Sequence, residues 1–526
     1  MRLLYSSLCL TLLLLGLPLV TRAQNSADTR DAESLVSLYT ESVPLWFKDE
    51  QASSQAVAVL TALRNAEDAG LHAAEYQGAE LTYRLLRLHT LAVDQQDTQR
   101  LQLDRDITTA IAKMIRHLHY GRIAPRRVGF DIQRTPDLDI DAVIKELTTT
   151  TNVPAVLQRI EPQFMHYRLL KAALNRYRLL AVDEELTQLP SFTTRSIKPG
   201  DTYDGAPALR RLLVAEQDLS AEQQAADSDL TLDAALVEAL QRYQTRHGLA
   251  ADGALGKQTF AALTTPFSKR AAQIELTLER WRWLPPLSAP MIVVNIPQFK
   301  LFAFQSNDDR ETNLLRMNVI VGQTFEHTQT PVFLANMKYL VFRPYWDVPR
   351  DILNREMLAD MQRDPSYLDK HQLELVNGQG DNSPVVAATP ENIALLAQGE
   401  LRVRQQPGAS NALGEIKFML PNAYNVYLHS TPAKHLFNET RRTFSHGCIR
   451  VSDPVALAEY VLRYAAGDWN TATIQAAMQG EANQHVNLQT SIPVLIMYGT
   501  VMPLESGVVQ FFDDIYGHDA KLAKLL

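Results

Sequence analysis

The run Ser445-His446-Gly447-Cys448-Ile449-Arg450, with Tyr424-Asn425-Val426-Tyr427-Leu428-His429 upstream of it, decides how this chain is read. There are two cysteines, and the other, Cys9, lies in an apolar N-terminal stretch. A thiol attacks as its thiolate, and histidine or arginine neighbours favour that form. Cys448 has both within two residues. If the N-terminal stretch is an export signal, the mature chain carries one thiol in an oxidising compartment, where an unpaired cysteine is a liability unless its reactivity is used. Alternation along 424–429 places Tyr424, Val426 and Leu428 on one strand face and Asn425, Tyr427 and His429 on the other, so His429 leaves a strand end. Gly447, between His446 and Cys448, lets a substrate approach the backbone closely. Asp453 and Pro454 read as the N-cap and first position of a helix reaching about Tyr464.

The chain around these motifs is β in character after Trp281-Arg282-Trp283-Leu284-Pro285-Pro286. Residues 291–304 read as two strands broken at Pro297. Further strands are expected at 315–321, closed by Gly322, and at 337–342, 425–429 and 491–499. The intervening 351–406 reads as a helical, polar insertion over the β core, and long insertions beside sites are often lids. Residues 28–194 repeat apolar side chains at three- and four-residue spacing, the pattern of an all-α domain. In 196–267, Leu236, Leu240 and Tyr243 mark the buried face of a short helix, and Gly248, Asp252-Gly253 and Gly256 punctuate a small three-helix bundle. The expected architecture is multidomain α+β, with a mainly β catalytic domain over 289–526.

Length and composition agree with several globular domains: 526 residues, 46% apolar and 21% charged. A formal net charge of -8 without a basic run gives no support for binding nucleic acid or anionic lipid. Residues 1–23 read as a cleaved signal peptide, with an uncleaved membrane anchor as the alternative. Cys448, His446 and His429 would supply zinc with only three ligands and none of the paired cysteine spacing of structural sites. A buried, inert cysteine is the other bland alternative. Arg441 and Arg442 read as a solvated pair, whereas Arg450, inside the motif, reads as functional, since arginine holds carboxylates bidentately.

His429, a fifteen-residue gap and then Ser445-His446-Gly447-Cys448-Ile449-Arg450 resemble the signature of L,D-transpeptidases. The resemblance includes Tyr427-Leu428-His429, Pro344-Tyr345-Trp346 and Asp514-Ile515-Tyr516-Gly517. Tyr243-Gln244, His247-Gly248-Leu249, Asp252-Gly253, Gly256 and Thr259 resemble a peptidoglycan-binding domain, and the order of parts is similar to the large periplasmic enzymes of Gram-negative bacteria, with a helical scaffold domain and a lid. By that resemblance Cys448 is the nucleophile and His429 the base. The Ser430 carbonyl fixes the imidazole tautomer, His446 supports the site, and N–H groups around Gly447 and Cys448 form the oxyanion hole. Arg450, Ser445 and Tyr427 are assigned to the substrate. The implied partners are peptidoglycan tetrapeptide stems, as donor and acceptor, together with other wall synthases. No metal or organic cofactor is implied, the location is periplasmic, and carbapenems would acylate the thiol. Water or a lipoprotein lysine remains open as acceptor, and a catalytically inert wall-binding protein remains the rival of another class.

Overall fold

The structure, a computed structural model, describes residues 44–133, 136–223, 228–306, 308–310, 312–364 and 366–526. The expected export segment 1–23 and Cys9 lie outside the described residues. Of those described, 44–66, 72–116 and 138–158 form one compact unit, and the rest form a second.

The first unit is helical except for a small antiparallel pair of Phe47–Lys48 with Gln51–Ala52, which departs from the expected all-α pattern. Ser53 caps the helix Ser54–Arg64 by accepting from the Ala56 N–H at 3.1 Å, and Ala56, Val59, Leu60 and Leu63 form its buried stripe. Buried Asp104 accepts from the N–H groups of Leu45 and Trp46 at 3.1 and 2.7 Å, so its charge is satisfied by backbone donors.

In the second unit one sheet carries the chemistry. Its strands run Thr443–Ser445, Leu315–Gly322, Ile449–Val451, Leu428–His429, Ile416–Met419, Phe333–Phe342, Gln484–Met497, Met291–Asn295 and Lys300–Phe304 in spatial order. Lys300–Phe304 also pairs with Leu315–Gly322, which closes eight of these strands into a ring and leaves Thr443–Ser445 attached to it through Leu315–Gly322. Met291–Asn295 is buried at every residue, as a strand covered on both faces must be.

The insertion differs from the expected helical reading. It holds the helices Leu358–Arg363 and Pro390–Gln398, but also an antiparallel sheet of Val385–Val386, Leu373–Val376, Arg402–Gln405 and Trp346–Asp347. Leu353, Met361, Leu375, Leu396 and Val403 belong to a core of its own. Strands of two to four residues are too short to show a period in sequence.

Residues 196–267 hold the helices Ala206–Ala215, Ala234–Arg246 and Lys257–Leu263, and Ser196–Ile197 pairs with Leu255–Gly256. Leu236, Leu240 and Tyr243 are buried, and so are Gln244, Arg246 and His247 from the second half of that helix and its cap. Among the described residues, no helix is long and apolar enough to cross a membrane.

Candidate active site

Two loops converge where Leu428–His429 pairs in parallel with Ile449–Val451, aligning Leu428 with Ile449 and His429 with Arg450. The strand expected over 425–429 is shorter than its alternation suggests. Asn425 sits at φ +54°, and the Asn422 side chain accepts from the N–H groups of Tyr424 and Val426 at 2.9 and 3.2 Å. That turn replaces the strand's first half and aims the Asn425 carbonyl at the site, 3.7 Å from the Cys448 sulfur. After the second motif, Asp453 caps Pro454–Leu462 by accepting from the Ala456 N–H at 3.0 Å, with Pro454 in the first turn, as expected from sequence.

Cys448 is a free thiol. Burial pushes it up from its usual value, opposed by hydrogen bonds from the Tyr427 N–H and phenol and by the charges of Lys417 and Arg450. Burial, with the neighbouring thiol as second cause, holds the Tyr427 phenol well above its ordinary value, so it remains a donor. The Ile449 N–H donates to the Tyr427 carbonyl at 3.1 Å, locking the two motifs together. The Tyr427 ring also meets the His429 ring edge-on, with centroids 5.7 Å apart.

His429 is buried, and its Nδ1 lies 2.6 Å from the Ser430 carbonyl. A carbonyl can only accept, so Nδ1 carries the proton and Nε2 keeps its lone pair. Burial, and then the charge of Arg450, push this imidazole down to about 3. At neutral pH the resting site therefore holds a thiol and a neutral imidazole rather than an ion pair.

The turn at Gly447 is built for its backbone. Gly447 has φ +114°, a conformation that side-chain-bearing residues rarely adopt. The Thr330 hydroxyl donates to its carbonyl at 2.8 Å, and the Tyr516 hydroxyl in turn donates to the Gly322 carbonyl at 2.6 Å. A Cβ on Gly322 would lie 2.0 Å from the Thr328 carbonyl oxygen, so only glycine lets the end of this strand approach the turn at Thr328. Thr330 is a supporting residue with no local sequence signal.

Several expected roles are altered by these contacts. Ser445, assigned to the substrate, is buried; its hydroxyl donates to the Cys448 carbonyl at 2.5 Å and accepts from the Gly447 N–H at 3.2 Å. It braces the turn, and the Gly447 N–H is occupied rather than open to an oxyanion. Arg442 is not solvated: buried, it donates to the carbonyls of Val319, Glu439 and Phe299 at 3.2, 2.6 and 3.2 Å. Arg441 is exposed. Arg450 is half-buried, and its Nε has no hydrogen-bond partner. Among the described residues, no group of three or more His, Cys, Asp and Glu side chains converges as metal ligands would.

His446 reaches away from the strand pair, its Nε2 2.7 Å from Glu356 in the insertion. Both side chains are at least a third exposed, so the bond is worth about 0.2–1 kcal/mol. Glu356→Gln is thus expected to leave the melting temperature nearly unchanged. It should speed amide exchange across Leu353–Met357 by up to roughly fivefold, read by hydrogen-exchange mass spectrometry.

Residues 289–490 match the L,D-transpeptidase catalytic domain (YkuD), residues 33–174 a scaffold domain, and residues 210–263 a putative peptidoglycan binding domain. A Haemophilus influenzae protein described as "Putative L,D-transpeptidase" is 30% identical over 279 residues, covering 52% of this chain and 54% of that protein. The chain thus aligns with about half the length of this curated relative.

Proposed function

We propose that this chain, with an L,D-transpeptidase catalytic domain matched over residues 289–490, joins peptidoglycan stem peptides through a thioester on Cys448. The Cys448 sulfur attacks the carbonyl of the third-position diamino acid of a tetrapeptide stem as its proton passes to His429 Nε2. The tetrahedral intermediate collapses to the thioester, and the departing D-alanine amine takes the proton from the imidazolium. The side-chain amine of a second stem then attacks the thioester and gives a proton to His429 Nε2, which passes it to the departing sulfur, so the new amide forms and the Cys448 thiol is regenerated. The Cys448 N–H, with no hydrogen bond among the described residues, is the donor for the oxyanion, since that of Gly447 is bonded to Ser445. Arg450 is the cation for a substrate carboxylate, and 351–406 acts as a lid.

This chemistry belongs in the periplasm, beside the wall and its other synthases. The match to a peptidoglycan-binding domain supports peptidoglycan as the partner. The observation that carries the proposal is a free sulfur 3.7 Å from the Asn425 carbonyl, next to Tyr427, whose ring meets a neutral, tautomer-fixed imidazole.

Incubating the protein with purified disaccharide tetrapeptides and identifying the products by mass spectrometry tests it. The expected product is a dimer lacking one terminal D-alanine. Tripeptides without dimer would make water the acceptor, and a substrate left untouched would favour a wall-binding protein.

A further inference from the structure

Lys417 stands where no motif points. It lies on Ile416–Met419, paired with Val341 on one side and His429 on the other, so the three side chains share one face of the sheet. Its flanking residues Ile416 and Phe418 are fully buried on the opposite face. The Lys417 ammonium lies 4.1 Å from the centre of the Tyr427 ring, in cation–π contact. Tyr427 is the residue whose influence on the Cys448 thiol comes first in opposing the rise that burial causes.

A lysine pressed among strands is normally balanced by a carboxylate, because burying an ammonium without one is costly. The acids whose charge it senses, Asp347 and Asp381, are bonded to Arg402 and His485 instead. Burial draws the ammonium down from its usual value, and the first opposing influence is Cys448, ahead of both acids. Besides Lys417, the groups that act on the sulfur are Tyr427 and Arg450. Arg450 lies next to His429 in the parallel register, and the neutral imidazole brings no charge.

We propose that Lys417 is a positioning residue for the nucleophile: stacked on Tyr427, its ammonium holds the phenol toward the sulfur and faces the negative charge that forms there. Lys417 transfers no proton and touches no reacting atom. Its effect is to make the thiolate attainable in a resting site whose imidazole is too weak a base to hold the proton. A purely structural lysine would need only its alkyl chain against the Tyr427 ring, which methionine supplies equally well.

The inference rests on Cys448 being the nucleophile proposed above, but its test needs no wall substrate. The rate of Cys448 alkylation by iodoacetamide is followed across pH by intact mass for wild type, Lys417→Met, Lys417→Arg, Tyr427→Phe and the Lys417→Met/Tyr427→Phe pair. Lys417→Met should react about tenfold more slowly at pH 8, its rate curve displaced to higher pH, while Lys417→Arg stays close to wild type. The double variant should lose less than the product of the two single losses, because one residue acts through the other. Lys417→Gln makes the same comparison should the methionine variant not fold. A Lys417→Met curve that superimposes on wild type, or an arginine variant as slow as the methionine one, would overturn the role. Failure of cross-linking with the alkylation result intact would count against the proposed function alone.

Discussion

His429→Ala will slow acylation of Cys448 by a carbapenem about a thousandfold at pH 7, within the range that a positioned general base supplies. The size follows from the resting state. Burial holds the thiol up, so few molecules carry a spontaneous thiolate, and the imidazole must accept the proton as sulfur attacks. Pushed down to about 3, the imidazole stays unprotonated throughout the working range, so the wild-type acylation rate should not fall as pH drops from 7 to 5. The alanine variant depends on the free thiolate, and its rate should climb about tenfold per pH unit on the alkaline side. An anion paired with Arg450 would cancel the second cause of the depressed imidazole and strengthen the base on substrate binding. His446→Ala should cost tenfold or less, since that ring is bonded to Glu356. Stopped-flow acylation separates the cases, and equal losses from the two histidine variants would mean that the base has been misassigned. Cys448→Ala, which removes the sulfur, should take up no adduct at all.

The parts of this site that were legible in sequence are those whose chemistry is local. Gly447 next to Cys448 announces a backbone that can be approached closely, and the structure gives it a φ that glycine tolerates. Asp453-Pro454 announces a helix start through capping chemistry carried by two adjacent residues. The strand bounds at 291–304 and 315–321 follow from β-branched runs cut by Pro297 and Gly322, and the sheet takes up those strands. What stayed hidden depends on partners far along the chain. Lys417 becomes interpretable only once its strand lies against Leu428–His429, and Glu356 meets His446 across ninety positions. Arg442 reads as a surface charge until three carbonyls from separate segments close around it. Alternation misled at 424–427, because the Asn422 side chain offers those backbone groups a turn in place of a ladder. The insertion's small sheet was missed for the reason already given, strands too short to carry a period.

Arg246→Met will destabilise the second unit by about 3–5 kcal/mol, as expected when one partner leaves a buried ionic cluster. Arg246 donates to Asp218 at 2.6 Å and to Glu216 at 2.8 Å, and it also bonds the Val509 carbonyl. The Tyr177 hydroxyl donates to the same Glu216 oxygen at 2.8 Å. Without the guanidinium, two buried carboxylates face each other with one phenol between them and the solvent they have lost. Burial already holds the Asp218 carboxyl above its ordinary value while Arg246 restrains it, so removing Arg246 lets it rise further above its unfolded value. A group with a raised folded pKa binds more protons in the folded state, so stability improves as pH falls through that value. The deficit of the variant should therefore be smaller at pH 5 than at pH 7, and adding Asp218→Asn should recover part of it. Thermal or urea unfolding followed at both pH values checks this; a loss below about 1 kcal/mol, or one indifferent to pH, would mean that the cluster is already relaxed by water. The consequence reaches the peptidoglycan-binding reading. His247, whose Nδ1 sits 3.2 Å from the Phe511 carbonyl and whose ring stacks on Phe511 at 5.8 Å, is held by the same seat. The Tyr243-Gln244 and His247 positions that carry the resemblance are thus occupied in folding and docking. Any wall contact made by residues 196–267 has to come from other, exposed side chains, and Arg246→Met would weaken it only by loosening the unit that presents them.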